Sequence, residues 1–461
     1  MLDELYPYRA SSTTYSQIPD LGIKASEIIE LVDSFAERED AIGDTGRVSG
    51  SLYSGDHDHY SKLTEIFEKF AHVNVLQRDM YPSATKFEAE IIAMTLEMLH
   101  GNGPDSDACG VITSGGSESL ITALYTYREQ GAKERGITNP NVVIPTTAHV
   151  ALDKGAHWLG IEVRHAPLDE NFLVDVDAME ALIDANTVAL LGSAGNYAHG
   201  LIDPIAEIGQ LALKYGVGLH VDGCLGGFLL PWIEANGHHV TPWDFRTPGV
   251  TSISADTHKY GYALKGTSTL SYRTKALRAH QYFTYPDWPG GLYLSPGFAG
   301  SRSGGLIAST WASLLIMGKS GFTQAAEEIY VAAQAIVAGI RRDIPEIEVI
   351  GDPLFLIAFK SESLDMYLIN DELKRRGWRM NALQMPPALH FCITRPNAKA
   401  EVVRQYLDDL KAAVEYAKEN LGQDATSGAM YGFGGTPKGN ATLAFVMSGY
   451  LDAMHELAPK E

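Results

Sequence analysis

The sequence predicts an α/β protein with a mostly parallel central sheet covered by helices, an N-terminal arm and a smaller C-terminal α+β domain. Three observations predict it. Short apolar runs alternate with helix-period segments from Cys109 to Tyr272; the first 57 residues are polar and turn-rich; and beyond Pro345 the pattern changes to strand, strand, helix, strand and long helix. A chain of 461 residues has room for two or three domains at about 100 to 200 residues each.

The arm, residues 1–57, carries one helix, Ala25 to Glu37, and is expected to pack on a partner. In the large domain, residues 58–344, strands are expected at Cys109–Ile112, Val142–Ile144, Val188–Leu191, Val217–Val221, Thr251–Ser254 and Thr269–Tyr272, with helices at Ser117–Arg135, Val176–Ala185 and Ile205–Tyr215. Strands joined through helices return parallel, which is why the sheet is expected to be mostly parallel. The small domain, residues 345–461, shows a helix over Leu364–Arg376, a strand over Leu389–Ile393 and a long helix over Lys399–Glu419. Gly428 to Gly439 reads as an ordered loop before a final helix, Ala441 to Glu456.

Composition narrows the function. With 57 acidic and 36 basic residues the formal charge is -21, a field that repels nucleic acid and anionic membrane surfaces, so an anionic ligand needs a local positive pocket. Cys109, Cys224 and Cys392 are few, odd in number and without metal-type spacing, which points to a reducing cytoplasm and to no metal site. The chain begins with no signal-like segment and has no run long enough for a membrane helix, so a soluble protein is expected.

The chemistry is concentrated in Ser254-Ala255-Asp256-Thr257-His258-Lys259-Tyr260-Gly261. A lysine directly behind a histidine at a strand end suits covalent capture of the aldehyde of pyridoxal 5'-phosphate (PLP), although a plain surface lysine would look similar. Thr113-Ser114-Gly115-Gly116-Ser117 follows a strand and opens a helix, so its N–H groups and hydroxyls form an anion site or serve as mere punctuation. Asp222 ends a buried strand, where a carboxylate can hold a pyridine nitrogen protonated; a lone strand-end Asp more often caps a turn. His149, at the start of a helix after a strand, offers a ring to stack on a cofactor or fills a capping role. Gly300-Ser301-Arg302 is a further Gly/Ser loop leading into a helix.

Together with Val48-Ser49-Gly50-Ser51-Leu52-Tyr53, His220-Val221-Asp222-Gly223-Cys224-Leu225-Gly226-Gly227-Phe228 and Pro386-Pro387-Ala388-Leu389-His390, these stretches occur in an order that resembles the sphingosine-1-phosphate lyase family, from about Gly46 to near Tyr450. The wider group is the fold-type I, group II decarboxylase-like PLP enzymes. The resemblance implies that Lys259 bonds PLP, Asp222 pairs with its pyridinium and His149 stacks on its ring. It implies that Gly116, Ser117 and His258 hold the cofactor phosphate, with Gly300 and Ser301 supplied by the second subunit of a homodimer. Tyr53, Asn74, Gln77 and Lys265 would bind substrate, with Lys259, Asp222 and Tyr53 in catalytic roles. Because the chain starts without the membrane helix of some relatives, it looks like a soluble bacterial-type member.

One position departs from the family pattern. Where the family usually reads Asn-Pro-Leu-His, this chain has Asn74-Val75-Leu76-Gln77. Glutamine donates a hydrogen bond but brings no positive charge. The activity implied is retro-aldol cleavage of a phosphorylated long-chain base to ethanolamine phosphate and a long-chain aldehyde. A PLP-dependent amino-acid decarboxylase is the alternative within the same chemistry, and an inactive PLP-fold scaffold is the non-enzymatic one.

Overall fold

The computed structural model describes residues 6–8, 11–428 and 437–457. The elements run α1 (Ala25–Gly43), α2 (His57–Lys69), α3 (Pro82–Met98), β1 (Cys109–Thr113), α4 (Gly116–Arg135), β2 (Asn141–Pro145), α5 (Ala151–Leu159), β3 (Glu162–Ala166), α6 (Val176–Ala181), β4 (Thr187–Ser193), α7 (Ile205–Tyr215), β5 (Gly218–Asp222), α8 (Leu230–Ala235), β6 (Ser252–Ala255) and β7 (Ser268–Tyr272). They build a seven-stranded sheet in the order β1-β7-β6-β5-β4-β2-β3. Neighbours β3, β2, β4, β5 and β6 are parallel, while β7 runs antiparallel to both β6 and β1. Two reversals restore direction, so β1 points the same way as β6. The C-terminal ends of six strands therefore share one edge, where open α/β sheets bind ligands.

The central strands form because their residues are apolar in succession. All seven residues of β4 and all five of β2 and β5 are buried, as a strand covered on both faces requires. Helix α7 buries Ile205, Ile208, Leu211 and Ala212, a single helical stripe. Strand β3, Glu-Val-Arg-His-Ala, lies at the sheet edge with little burial, and its polarity hid it from the sequence pattern.

Beyond β7 come α9 (Lys275–Ala279), the hairpin β8 (Phe283–Tyr285) and β9 (Tyr293–Ser295), and α10 (Gly304–Asp343), interrupted at Gly318. Phe283, Tyr285, Trp288, Leu292 and Leu294 of the hairpin are exposed. A second sheet has the order β10-β11-β13-β12, from β10 (Glu348–Val349), β11 (Leu356–Lys360), β12 (Asn381–Leu383) and β13 (Ala388–Cys392). Helices α11 (Met366–Arg375), α12 (Ala400–Glu419) and α13 (Pro437–Met454) complete the chain. The expected Gly428–Gly439 loop lies, for residues 429–436, outside the described residues. Among the described residues no helix is long and apolar enough to cross a membrane.

The arm differs from expectation in its second half. Residues 46–54 are fastened to the C-terminal part of their own chain rather than left for a partner. Gly50 N–H donates to Cys392 O (3.1 Å), and Asn397 Nδ2 donates to Val48 O (3.1 Å). Helix α1, by contrast, has no buried residue.

Candidate active site

Strand β6 ends at Ala255, and the chain turns through Asp256 to Tyr262, so Lys259 emerges at the shared C-terminal edge of the sheet. A cavity of about 360 Å3 opens there, lined by Gly115, Gly116, Ser117, His149, Cys224, Asp256, His258 and Lys259 among others. Lys259 Nζ lies 3.0 Å from Asp256 Oδ2. Burial by itself would lower the lysine pKa, but the Asp256 carboxylate, aided by Cys224, Tyr53 and Asp222, more than reverses this and holds it above its ordinary value.

The opposite wall is the start of α4. The first N–H groups of a helix have no intrahelical acceptor and carry the positive end of its dipole, so Gly116 and Ser117 face the cavity as an anion cradle. Residue 116 must be glycine for space. A Cβ there would lie 2.9 Å from Asp256 Oδ2 and 2.9 Å from Cys224 Sγ. Glu118 does not compete for an anion: its Oε2 accepts the Ser114 N–H (2.7 Å) and its Oε1 the Phe298 N–H (3.3 Å).

His258 Nδ1 donates to Thr267 O at 2.6 Å, a carbonyl being able only to accept. Burial, first among the influences on it, keeps its pKa below the ordinary value. The ring is thus neutral near pH 7, and Nε2 becomes a donor when an anion in the cavity draws a proton onto it. His149, just before α5, lines the cavity and uses Nδ1 to accept the Ala151 N–H (3.1 Å), which leaves its hydrogen on Nε2.

Asp222 stands at the end of β5, paired in register with Ser193 of β4 and Ser254 of β6. It is not among the residues lining the cavity. Its Oδ1 accepts the Cys224 N–H (2.9 Å) and the Ser254 hydroxyl (3.4 Å), so it sits one layer below, behind Cys224.

Tyr53 reaches the site from the arm. Ser49 Oγ accepts from Cys392 N–H (3.0 Å) and Asn381 Nδ2 (2.9 Å), pinning the loop to β13 and β12. Gly50, at φ +61°, lets the backbone turn against Cys392, whose Cβ would be 2.9 Å from any side chain there. The Tyr53 ring is 6% exposed, edge-on to Tyr260 at 5.0 Å, and burial pushes its phenol pKa well above the ordinary value. Lys265 Nζ sits 4.7 Å from the centre of that ring and donates to His258 O at 3.3 Å.

The remaining expected residues are not brought to this cavity. Asn74 Nδ2 donates to Ser301 Oγ at 2.9 Å, and Asn74 Oδ1 accepts the Arg302 N–H at 3.2 Å. Gln77, Gly300 and Ser301 are exposed, and Gly300 has nothing within 4 Å of its Cβ position. The expected substrate set is therefore divided: Tyr53 and Lys265 lie beside Lys259, while Asn74 goes with the Gly300–Ser301 loop and Gln77 is exposed in the turn that follows Asn74.

Two residues escaped the sequence reading. Tyr197, past the C-terminal end of β4, places its ring edge-on to His149 (6.2 Å between centres) and to His390 of β13 (4.9 Å). Its place after a central strand was the available signal. Asp256 lay in plain view, three residues before Lys259, without a role.

This set fits PLP. The cavity offers an amine for its aldehyde and helix N–H groups for its phosphate, and buried Asp256 Oδ1 has no hydrogen-bond partner, as in a site shaped for another group.

Comparison with known proteins agrees. Residues 49–362 match the family described as the pyridoxal-dependent decarboxylase conserved domain. A protein of Saccharomyces cerevisiae named sphingosine-1-phosphate lyase is 39% identical over 100% of this chain and 78% of its own length. The solved sphingosine-1-phosphate lyase of Burkholderia pseudomallei is 44% identical with a TM-score of 0.90, covering 96% of this chain and 99% of that one. Lactobacillus brevis glutamate decarboxylase, at 20% identity and a TM-score of 0.75 over 90% of this chain and 98% of that one, shares the fold. The chain belongs to the sphingosine-1-phosphate lyase family of pyridoxal-dependent enzymes.

Proposed function

We propose that the enzyme cleaves a phosphorylated long-chain base of the sphingosine-1-phosphate kind to ethanolamine phosphate and a long-chain aldehyde. The observation that carries this reading is the Lys265–Tyr53 pair beside Lys259: an ammonium and a phenol together suit a phosphate monoester. Bound PLP supplies a carbonyl that takes up amines and a ring that accepts the electron pair freed when C2 and C3 separate.

The chain's own residues do the rest. Lys259 would form the covalent bond to the cofactor. Gly116 and Ser117 N–H groups would hold its phosphate, joined by His258 once that anion draws a proton onto Nε2, and His149 would stack on its ring. Asp222, whose hydrogen bonds fall on Oδ1, has Oδ2 left over and would use it to keep the ring nitrogen protonated. Tyr53, kept neutral by burial, donates a proton at C2 rather than accepting one.

A homodimer completes the site, the second copy supplying Gly300, Ser301, Asn74 and Gln77. The exposure of Gly300, Ser301 and Gln77, the Asn74–Ser301 hydrogen bond and the exposed aromatics of the Phe283–Ser295 hairpin support this arrangement. The three buried free thiols suit a reducing cytoplasm.

Product analysis tests the reading. Purified enzyme given sphingosine-1-phosphate releases the aldehyde and ethanolamine phosphate, and given a panel of amino acids releases no CO2. Release of CO2 without any long-chain aldehyde makes it a decarboxylase; neither product, with no visible absorbance band from bound cofactor, makes it a scaffold.

A further inference from the structure

Asp256 is 2% exposed and lines the cavity. On one side its Oδ2 meets Lys259 Nζ at 3.0 Å and His258 Nε2 at 3.7 Å. On the other, both carboxylate oxygens press against Gly116, within 3.0 Å of where its Cβ would stand. Its Oδ1 has no hydrogen-bond partner. A carboxylate buried in this way is costly unless a cation answers it; of the two neighbours, burial keeps His258 neutral until an anion draws a proton onto it, and its nitrogen is the farther one. Lys259 is the cation.

We infer that Asp256 is a positioning residue for Lys259, the counter-ion that keeps the lysine nitrogen cationic and in place both when it is bonded to the cofactor and when substrate has displaced it. Amine exchange conserves protons. The incoming substrate ammonium gives up two protons as its nitrogen takes over the carbon, and the departing Lys259 nitrogen gains two and leaves as an ammonium. Asp256 accepts that ammonium 3.0 Å away instead of losing it to solvent, so the amine stays beside the reacting carbons. The same pairing cancels a negative charge that would otherwise face the phosphate cradle at Gly116. The Asp222 carboxylate, one layer below, acts in the same direction, Cys224 and Tyr53 stand near as neutral groups, and Lys265 is a like charge near it.

This rests on Lys259 being the cofactor lysine, and the test separates the two claims. Holoenzyme is titrated through its visible band, with Lys259→Ala as the control that loses the band. In Asp256→Asn the band persists but its pH midpoint falls by about one to three units, the usual effect of removing an opposite charge within 4 to 6 Å. Asp256→Glu restores part of the shift. A band that survives Lys259→Ala sinks the lysine reading; a band that requires Lys259 but keeps its midpoint in Asp256→Asn overturns the counter-ion. A second measurement needs no variant. In cofactor-free full-length chain, pH-dependent acetylation of Lys259, read by mass spectrometry, is expected to have its midpoint above that of the exposed lysines, and an equal or lower midpoint also overturns the inference.

Discussion

Lys265 Nζ stands 4.7 Å from the centre of the Tyr53 ring, which also meets the edge-on ring of Tyr260 at 5.0 Å. The pair joins a loop from the start of the chain to the segment that carries Lys259. Replacing Lys265 by Met leaves the ring packed but removes a charge-assisted contact worth about 1.5 to 3 kcal/mol. KM for the phosphorylated substrate is expected to rise by roughly ten- to a hundredfold, with kcat little changed and unphosphorylated bases unaffected; steady-state kinetics on both substrates checks it.

Tyr53→Phe separates chemistry from binding. The ring and its packing on Tyr260 remain, so the bound-cofactor spectrum stays as in the native enzyme, while kcat falls by about 10² to 10⁴, the usual worth of a positioned proton donor. Burial raises the phenol pKa, so no alkaline loss of activity at or below ~10, the ordinary tyrosine value, traces to this residue. A native pH–rate profile whose alkaline midpoint disappears in Tyr53→Phe would contradict that.

Gly116→Ala puts a methyl group 2.9 Å from both the Asp256 carboxylate and the Cys224 sulfur, both of them buried, so one of them must shift. The cofactor is expected to bind at least about tenfold more weakly, a loss of ~1.4 kcal/mol, as read by equilibrium dialysis. Unaltered cofactor affinity would show that α4 does not cradle it.

Asp203 gives stability a pH dependence that can be isolated. It is fully buried behind β4, where its Oδ2 accepts the Ser193 N–H at 2.7 Å and its Oδ1 lacks a partner. Burial, with the Asp222 charge adding to it, pushes its pKa up to about 7. The folded state therefore keeps a proton that the unfolded chain releases above ~4, so this group's contribution is fullest below that pH and is lost as pH rises to about 7. Urea unfolding of native protein and Asp203→Asn should show a difference in stability that changes steadily between these limits and is flat above them; a constant difference throughout would mean that Asp203 is ionised when folded.

Gln77→His adds the charge that the family pattern places there. If the second copy delivers this residue to the substrate phosphate, KM falls by roughly tenfold, one charge-assisted bond replacing a neutral one. The gain should disappear when the pH is raised far enough to neutralise the histidine.

Strands β2, β4 and β5 were legible because a strand covered on both faces is apolar in succession, and helix α7 because one stripe of it is buried. The same reasoning passed over β3, whose Glu162, Arg164 and His165 sit at an edge where burial does not select residues. Lys259, Asp222, Gly116, Ser117, His149 and His258 were legible as strand-end and helix-start residues, since each depends on local chain geometry. Tyr197 was not: its meaning comes from His149 and His390, which lie far from it in sequence and close in space.

The sequence by itself determined the order of elements, the alternation that makes the sheet parallel, and the lysine, because periodicity and strand-end chemistry act between neighbours along the chain. Only the tertiary structure decided which of those residues meet. It tied the arm's Gly50 to Cys392 and its Tyr53 to Lys265, set Asp256 against both Lys259 and Gly116, and paired Asn74 with Ser301. Those meetings depend on strand register and on the packing of one sheet against another, where the free energy of burying a contact is shared among residues hundreds of positions apart and leaves no mark on the residues beside any one of them.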